Sequence, residues 1–239
     1  MKRIAICGGA GHLACYVRAR LHEIGAEVFP FVRTECQKSA LGDQAHVVDV
    51  GRPDMIEEAF KTRGPLDGLV YAVGRCRPDA FKEANSMSLN ELFGTHFPPD
   101  MDRLVYGLQN VCKVAVNIGL RPGGVIVVVG SAINSPNYDR PSSQASVGPY
   151  AVAQAAQAQL IKEWRENPVA RMRKIVLHYL TLGPVEGPFW GNSPQKPTEM
   201  LEPEKVAKGI VGLFKITGRH FDVEHIPGTN PQIAETPIR

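Results

Sequence analysis

No apolar run in this chain approaches the roughly 18 residues that a membrane-spanning helix needs. The opening MKRIAICGG carries two basic side chains and then a short apolar stretch that runs straight into glycines. A secretory leader requires a longer apolar core and a cleavage site, so the segment is expected to form a buried first strand. Cysteine offers no framework either. Cys7, Cys15, Cys36, Cys76 and Cys112 are odd in number and no pair has CxxC spacing. That pattern points to no metal site and no disulfide scaffold, and to free thiols in a reducing cytoplasm. A one-sided charge is also missing: the formal net charge of +3 comes from scattered Lys and Arg, which gives no basic face for nucleic acid. Repeats, low-complexity tracts and linkers are absent. The 239 residues, 44% of them hydrophobic, therefore read as one domain, residues 1–239, with a sizeable core.

What the chain does have is alternation. Strands are predicted at Arg3–Cys7, Glu27–Val32, His46–Val50, Gly68–Val73, the β-branched run VIVVVGS after Gly123-Gly124, Lys174–Thr181 and Phe221–Ile226. Helical periodicity falls between them, at Leu13–Ile24, Pro53–Phe60, Asp102–Gly119, Tyr150–Arg165 and Glu204–Ile216. The βαβ rhythm predicts an α/β fold, a Rossmann-type doubly wound parallel sheet with helices on both faces. Ligands of such sheets bind beyond the carboxyl ends of the strands. The tail Pro227–Arg239, with its prolines, reads as an irregular extension.

After the first strand comes Cys7-Gly-Gly-Ala-Gly-His-Leu-Ala14, spaced Gly8-x-x-Gly11-x-x-Ala14 and opening into a helix. Glycine lets the backbone turn sharply and approach a pyrophosphate, and the helix N-terminus supplies free N–H groups and a favourable dipole. A lone glycine pattern is weak, but strand before and helix after is the context that gives it meaning. The second strand ends Phe31-Val32-Arg33-Thr34. An acidic residue there would select NAD, whereas Arg33 suits a 2′-phosphate. NADPH is thus favoured, with NADH the alternative.

In this order and spacing the chain resembles the short-chain dehydrogenase/reductase family over nearly its whole length. Gly8, Gly11 and Ala14 match the family's first-turn glycines, with Cys7 where Thr is usual, and His12-Leu13 occurs in its atypical branches. Asp49, beside Val50, matches the acidic residue expected at the adenine ring. Tyr71-Ala72-Val73-Gly74 stands where the family has Asn-Asn-Ala-Gly. Ser131 matches the catalytic serine and Tyr150 the catalytic tyrosine, while Gly183-Pro184-Val185 resembles the loop that covers the nicotinamide. The resemblance implies hydride transfer to a small-molecule carbonyl, with Tyr150 as proton donor and Ser131 orienting the oxygen. It also implies a homodimer or homotetramer joined through the helices Asp102–Gly119 and Tyr150–Arg165.

The departures are chemical. The family's Tyr-x-x-x-Lys is here Tyr150-Ala-Val-Ala-Gln154, and its helix-four asparagine falls near Arg103 or Leu104, neither of them Asn. Ser131 precedes Tyr150 by 19 residues, more than the family's spacing, so "NSPNYDRPSSQ" reads as an enlarged active-site loop. A free tyrosine ionises near pH 10, and a nearby ammonium lowers that by about 1–3 units. Residues four apart share a helix face, so Gln154 is expected to bind the nicotinamide ribose in place of the lysine without tuning the phenol. Reduction needs a protonated tyrosine and oxidation a phenolate, so the exchange favours a reductase. Arg75, Arg77 and Arg140 lie in loops at the same edge and could supply a cation, though each reads first as a solvated charge. His96 and Pro98-Pro99 sit in an irregular stretch, Asn85–Asp100, that is expected to wall the substrate pocket. His178 reads as a core histidine, and Phe189-Trp190 as an apolar pocket wall or as ordinary packing. Two alternatives stay open: a dinucleotide-binding regulator without catalysis, and a dehydratase or isomerase on the same scaffold.

Overall fold

The computed structural model describes residues 1–74, 91, 94, 98–135, 148–188, 190, 197–216, 218–225 and 231–237. The readings placed on Arg75, Arg77, Arg140, His96, Phe189 and most of the enlarged loop lie outside them. Strands β1 (Arg3–Cys7), β2 (Glu27–Val32), β3 (His46–Val47), β4 (Leu66–Tyr71), β5 (Leu120–Ser131), β6 (Val176–Leu182), β7 (Arg219–His225) and β8 (Gln232–Pro237) form one sheet. Its order is β3-β2-β1-β4-β5-β6-β7-β8. Every pairing is parallel except β7 with β8. The order reverses at β1, which pairs with β2 on one side and β4 on the other. That crevice is where a doubly wound sheet holds its ligand.

Both faces of the sheet's central strands are buried, which explains why those strands read as continuous apolar runs. Along β1, Ala5 and Cys7 enter one core and Ile4 and Ile6 the other. The first core is completed by α3 (Pro53–Arg63), α4 (Gly107–Val114) and α5 (Gly148–Glu166), through residues such as Phe60, Leu108 and Ile161. The second is completed by α1 (His12–Glu23) and α6 (Pro203–Leu213), through Val17, Leu21, Val206 and Ile210. Burial pushes the Cys7 and Cys112 thiols up, so both are inert core residues. No helix among the described residues is long and apolar enough to cross a membrane.

Several boundaries differ from the sequence reading. β5 starts at Leu120, before the glycine pair, because an irregularity between Leu66 and Gly68 of β4 takes up the extra residues of β5. Gly123 turns there with φ +78°. A short helix, α2 (Glu35–Leu41), was not expected. It buries no residue and so shows no apolar period, but Thr34 caps it by accepting from Gln37 N at 3.3 Å. The tail is corrected more fully. Gln232–Pro237 is an edge strand in register with β7, from Glu224 opposite Gln232 to Arg219 opposite Pro237. Proline interrupts a ladder only where its N–H is needed; Pro231 precedes the strand and Pro237 ends it. α4 continues into π-type turns at Asp102–Tyr106 and Ala115–Gly119.

His178 and His220 are core histidines with a defined task. Phe221 N donates to His178 Nδ1 and Leu177 N donates to His220 Nδ1, each at 3.1 Å. The two imidazoles thus take over backbone hydrogen bonds where β6 and β7 begin to pair. Burial first, and then the Arg165 guanidinium, lowers each from 6.5 to about 4. Above pH 6.5 both imidazoles are neutral whether the chain is folded or not. Below it the unfolded chain gains protons that the folded chain refuses until about pH 4, so stability falls with pH across that window. The melting temperature is expected to drop by several degrees from pH 7 to pH 5. His178→Gln, tested beside the parent by thermal melts, should flatten that dependence.

Candidate active site

The glycine turn is held by contacts that exclude side chains. Gly8 has φ +79°, and a Cβ on it would lie 2.5 Å from the Ala72 carbonyl oxygen. Gly8 N and Gly9 N both donate to Phe31 O, at 3.1 and 3.0 Å, and Gly11 N donates to Gly8 O at 2.8 Å. Gly9, passed over by the sequence reading, is equally constrained: its Cβ would meet Pro30 Cβ at 2.6 Å. Gly11 is the N-cap of α1, with no side-chain cap and no acid in the first turn. The positive end of α1 is therefore left for an anion.

This turn forms one wall of a cleft of about 1480 Å³ at the carboxyl ends of the strands. Gly8, Gly11, His12, Leu13, Arg33, Asp49, Val50, Ala72, Val73, Gly74, Gly183, Pro184 and Val185 all line it, as do Ser131 and Tyr150. A drug-sized ligand needs about 300–1,000 Å³; this cleft has room for a dinucleotide and a small second molecule. Arg33 lies at the end of β2 and is exposed, with its backbone N bonded to Gln37 Oε1 at 3.0 Å. Asp49 turns Oδ1 back onto Gly51 N at 2.9 Å.

Gln154 is placed differently from the ribose reading. It is 2% exposed and is not among the residues lining the cleft. Its Oε1 accepts from Ser131 N at 3.1 Å and its Nε2 donates to Tyr150 Oη at 2.9 Å. The i, i+4 spacing does bring the amide to the phenol, but both ends of the amide are engaged inside the protein. Behind it stands Tyr179, whose Oη lies 3.4 Å from Gln154 Oε1 and 3.5 Å from Gln157 Oε1. Gln157 Nε2 in turn donates to Leu104 O at 3.1 Å. Room for Tyr179 comes from Gly130, where a Cβ would lie 2.1 Å from the phenol oxygen. The glycine inside "VVVGS" was the available signal, since a strand glycine often marks a close approach.

Asn110 escaped the sequence reading, and Tyr71 was named there only as a departure from the family pattern. Asn110, one of the cleft-lining residues, donates from Nδ2 to Val50 O at 3.1 Å, fixing the wall beside Asp49. Tyr71, in place of the family's asparagine, is buried and donates to the Arg103 carbonyl in the first π-type turn of the α4 region. Burial pushes its phenol up, so it remains a donor. Ser131 caps the short turn Ala132–Asn134, its Oγ accepting from Ile133 N at 3.4 Å.

The loop after β6 crosses the cleft. Leu201 N donates to Pro184 O at 2.7 Å and Glu186 N donates to Leu201 O at 2.9 Å. Trp190 closes the loop by donating from Nε1 to Val185 O at 3.0 Å. Its Gly187 lies against the His12 ring, where a Cβ would be 2.5 Å from Cδ2. No cluster of His, Cys, Asp and Glu suited to a metal occurs among the described residues.

No family model and no curated protein matches the chain. Solved structures do. An alcohol dehydrogenase from the archaeon Thermococcus sibiricus, complexed with 5-hydroxy-NADP, superposes with a TM-score of 0.71 at 20% identity, covering 97% of this chain and 99% of that one. A short-chain dehydrogenase from Burkholderia cenocepacia in complex with NADP gives 0.70 at 16% identity, covering 95% and 88%. The chain has the short-chain dehydrogenase/reductase fold. An enoyl-[acyl-carrier-protein] reductase (NADH) from Aquifex aeolicus gives 0.70 at 18%, covering 93% and 94%. Neighbours with different cofactors and substrates share this fold, so a short-chain dehydrogenase/reductase scaffold leaves the chemistry to be argued from the site.

Proposed function

We propose that this protein is an NADPH-dependent reductase of a small carbonyl compound or conjugated ketone, with Tyr150 as general acid and Ser131 orienting the carbonyl oxygen. The observation that carries the reading is that Ser131 and Tyr150 both line the cleft and are tied to each other through one buried amide. The cofactor fits the wall opposite. Gly8 and Gly11 let the backbone close in on a pyrophosphate, and the uncapped N-terminus of α1 offers its N–H groups. Arg33 is the cation for a 2′-phosphate, consistent with neighbours crystallised with NADP or NADPH. Asp49 and Asn110 belong to the adenine side, and Gly183, Pro184 and Val185 to the nicotinamide side. Bound NADPH supplies the hydride for the carbonyl carbon. Tyr150 Oη gives its proton to the carbonyl oxygen, and the Ser131 hydroxyl donates a hydrogen bond to the same oxygen as negative charge develops there.

Arg33→Ala is expected to weaken NADPH binding at least tenfold, about 1.4 kcal/mol, and to leave NADH binding unchanged. Titration of both cofactors checks this. The activity itself is tested by NADPH oxidation over a panel of ketones, aldehydes and enones, with the matching alcohols and NADP⁺ as the reverse assay. Reduction exceeding oxidation at pH 7 supports the reading. Absence of turnover with every member of the panel, despite NADPH binding, would favour a non-catalytic dinucleotide-binding role. Ile118 and Val152 are exposed apolar residues next to α4 and on α5, which supports assembly of copies through these helices. Cys7, Cys15, Cys36 and Cys112 are free thiols, which supports a reducing, cytoplasmic setting.

A further inference from the structure

We infer that Gln154 is a positioning residue that fixes Tyr150 as a hydrogen-bond acceptor from the protein, so that the phenol proton is not given to the helix amide. The inference rests on the reductase reading for its catalytic meaning. Its geometry stands independently.

The two ends of an amide are distinguished by their partners, not by their shape. Ser131 N is a backbone N–H and can only donate, and it meets the Gln154 oxygen at 3.1 Å. Tyr179 Oη stands on the other side, 3.4 Å from the same oxygen, 3.4 Å from Gln154 O and 3.5 Å from Gln157 Oε1. Burial, and then the neighbouring Tyr150 and Asp222, push the Tyr179 phenol up, so it keeps its proton and can donate. With Oε1 facing the Ser131 N–H, Nε2 must be the end at Tyr150 Oη, 2.9 Å away. An amide N–H can only donate, so the phenol oxygen accepts and its own proton points elsewhere.

Ser131 repeats the arrangement. Its Oγ accepts from Ile133 N, so that hydroxyl also takes a hydrogen bond from the scaffold. Ser131 and Tyr150 thus both receive donors from behind, and one side chain, Gln154, holds the Ser131 backbone and the Tyr150 phenol together. In the reduction, hydride reaches the carbonyl carbon while the phenol proton passes to the oxygen, leaving a phenolate beside the Gln154 N–H. A proton from water then restores the phenol. Gln154 steadies the phenolate with one neutral hydrogen bond where an ammonium would supply a full charge. The site is therefore built to present a protonated tyrosine.

The test reads the phenol rather than turnover. Difluorotyrosine placed at position 150 reports its own ionisation by fluorine NMR, and its ring fluorines bring the titration toward neutral pH. Gln154→Met keeps the length of the side chain and removes the N–H. Removing a donor disfavours the phenolate, so the midpoint is expected to rise by about one pH unit. If the amide pointed the other way, its oxygen would stabilise the neutral phenol and Gln154→Met would lower the midpoint. A lowered or unchanged midpoint overturns the inference. Should Gln154→Met fail to fold, the unaltered side chain answers the same question. Its labelled NH₂ resonance is expected to shift with the ionisation of residue 150, and an unmoved resonance overturns the inference. NADPH titration of the same samples is scored separately: loss of cofactor binding in the parent protein sinks the reductase reading without touching the orientation of the amide.

Discussion

Tyr150→Phe is expected to lower carbonyl reduction by about 10²–10⁴, the usual cost of removing a positioned general acid, with NADPH affinity unchanged. The split follows from the geometry. Tyr150 sits with Ser131 at the end of β5, away from the glycine turn and Arg33 that are assigned to the cofactor. Phenylalanine keeps the ring and removes only the proton donor and the acceptor of the Gln154 N–H. That N–H then lies buried without a partner, at a cost of roughly 1–3 kcal/mol, so the melting temperature should fall by several degrees while the fold persists. Steady-state assays beside a binding titration separate the outcomes. A variant that binds NADPH and still reduces at the parental rate would remove Tyr150 from the chemistry and return the site to a binding role.

Gly8→Ala should do the opposite damage. The residue has φ +79° and no room for a methyl group, since the Ala72 carbonyl oxygen would lie 2.5 Å away. A left-handed backbone costs a side chain about 1–2 kcal/mol, and relieving the overlap moves Ala72 and Val73, which line the same cleft. The melting temperature is expected to fall by about 5 °C, taking roughly 2–4 °C per kcal/mol for a chain of this size. NADPH affinity should fall about a hundredfold, or about 2.7 kcal/mol, because the pyrophosphate loses both the turn and the aligned N-terminus of α1. Calorimetric titration and thermal melts of the same sample check both. Unchanged affinity would mean that the glycine turn is structural only.

The fold was legible because burial on both faces leaves a direct trace: apolar strands alternating with amphipathic helices, and glycines where β1 enters α1. The edge was not. β8 is exposed along its length from Gln232 to Glu235 and is held by backbone pairing with β7, so no apolar pattern marks it. The lining of the cleft was legible wherever the chain leaves the end of a strand, which is why Ser131, Arg33 and Asp49 all stand there, while Tyr150, in the first turn of α5, came from the family resemblance. What spacing alone missed is the direction of a side chain. The distance from Tyr150 to Gln154 placed the amide beside the phenol, but whether it then turned to the cleft or into the protein depended on Ser131 N and Tyr179. Both come from strands distant in sequence. The partners of Asn110 and Tyr71 were hidden for the same reason, since each meets a backbone carbonyl supplied by another element.

The most direct measurement is a binding titration of the purified protein with NADPH and, separately, with NADH. Tight NADPH binding, with NADH at least tenfold weaker, is the expected result, because Arg33 has a 2′-phosphate to pair with only in the first. Failure to bind either cofactor would contradict the account at its root, leaving a short-chain dehydrogenase/reductase fold whose cleft serves some other ligand.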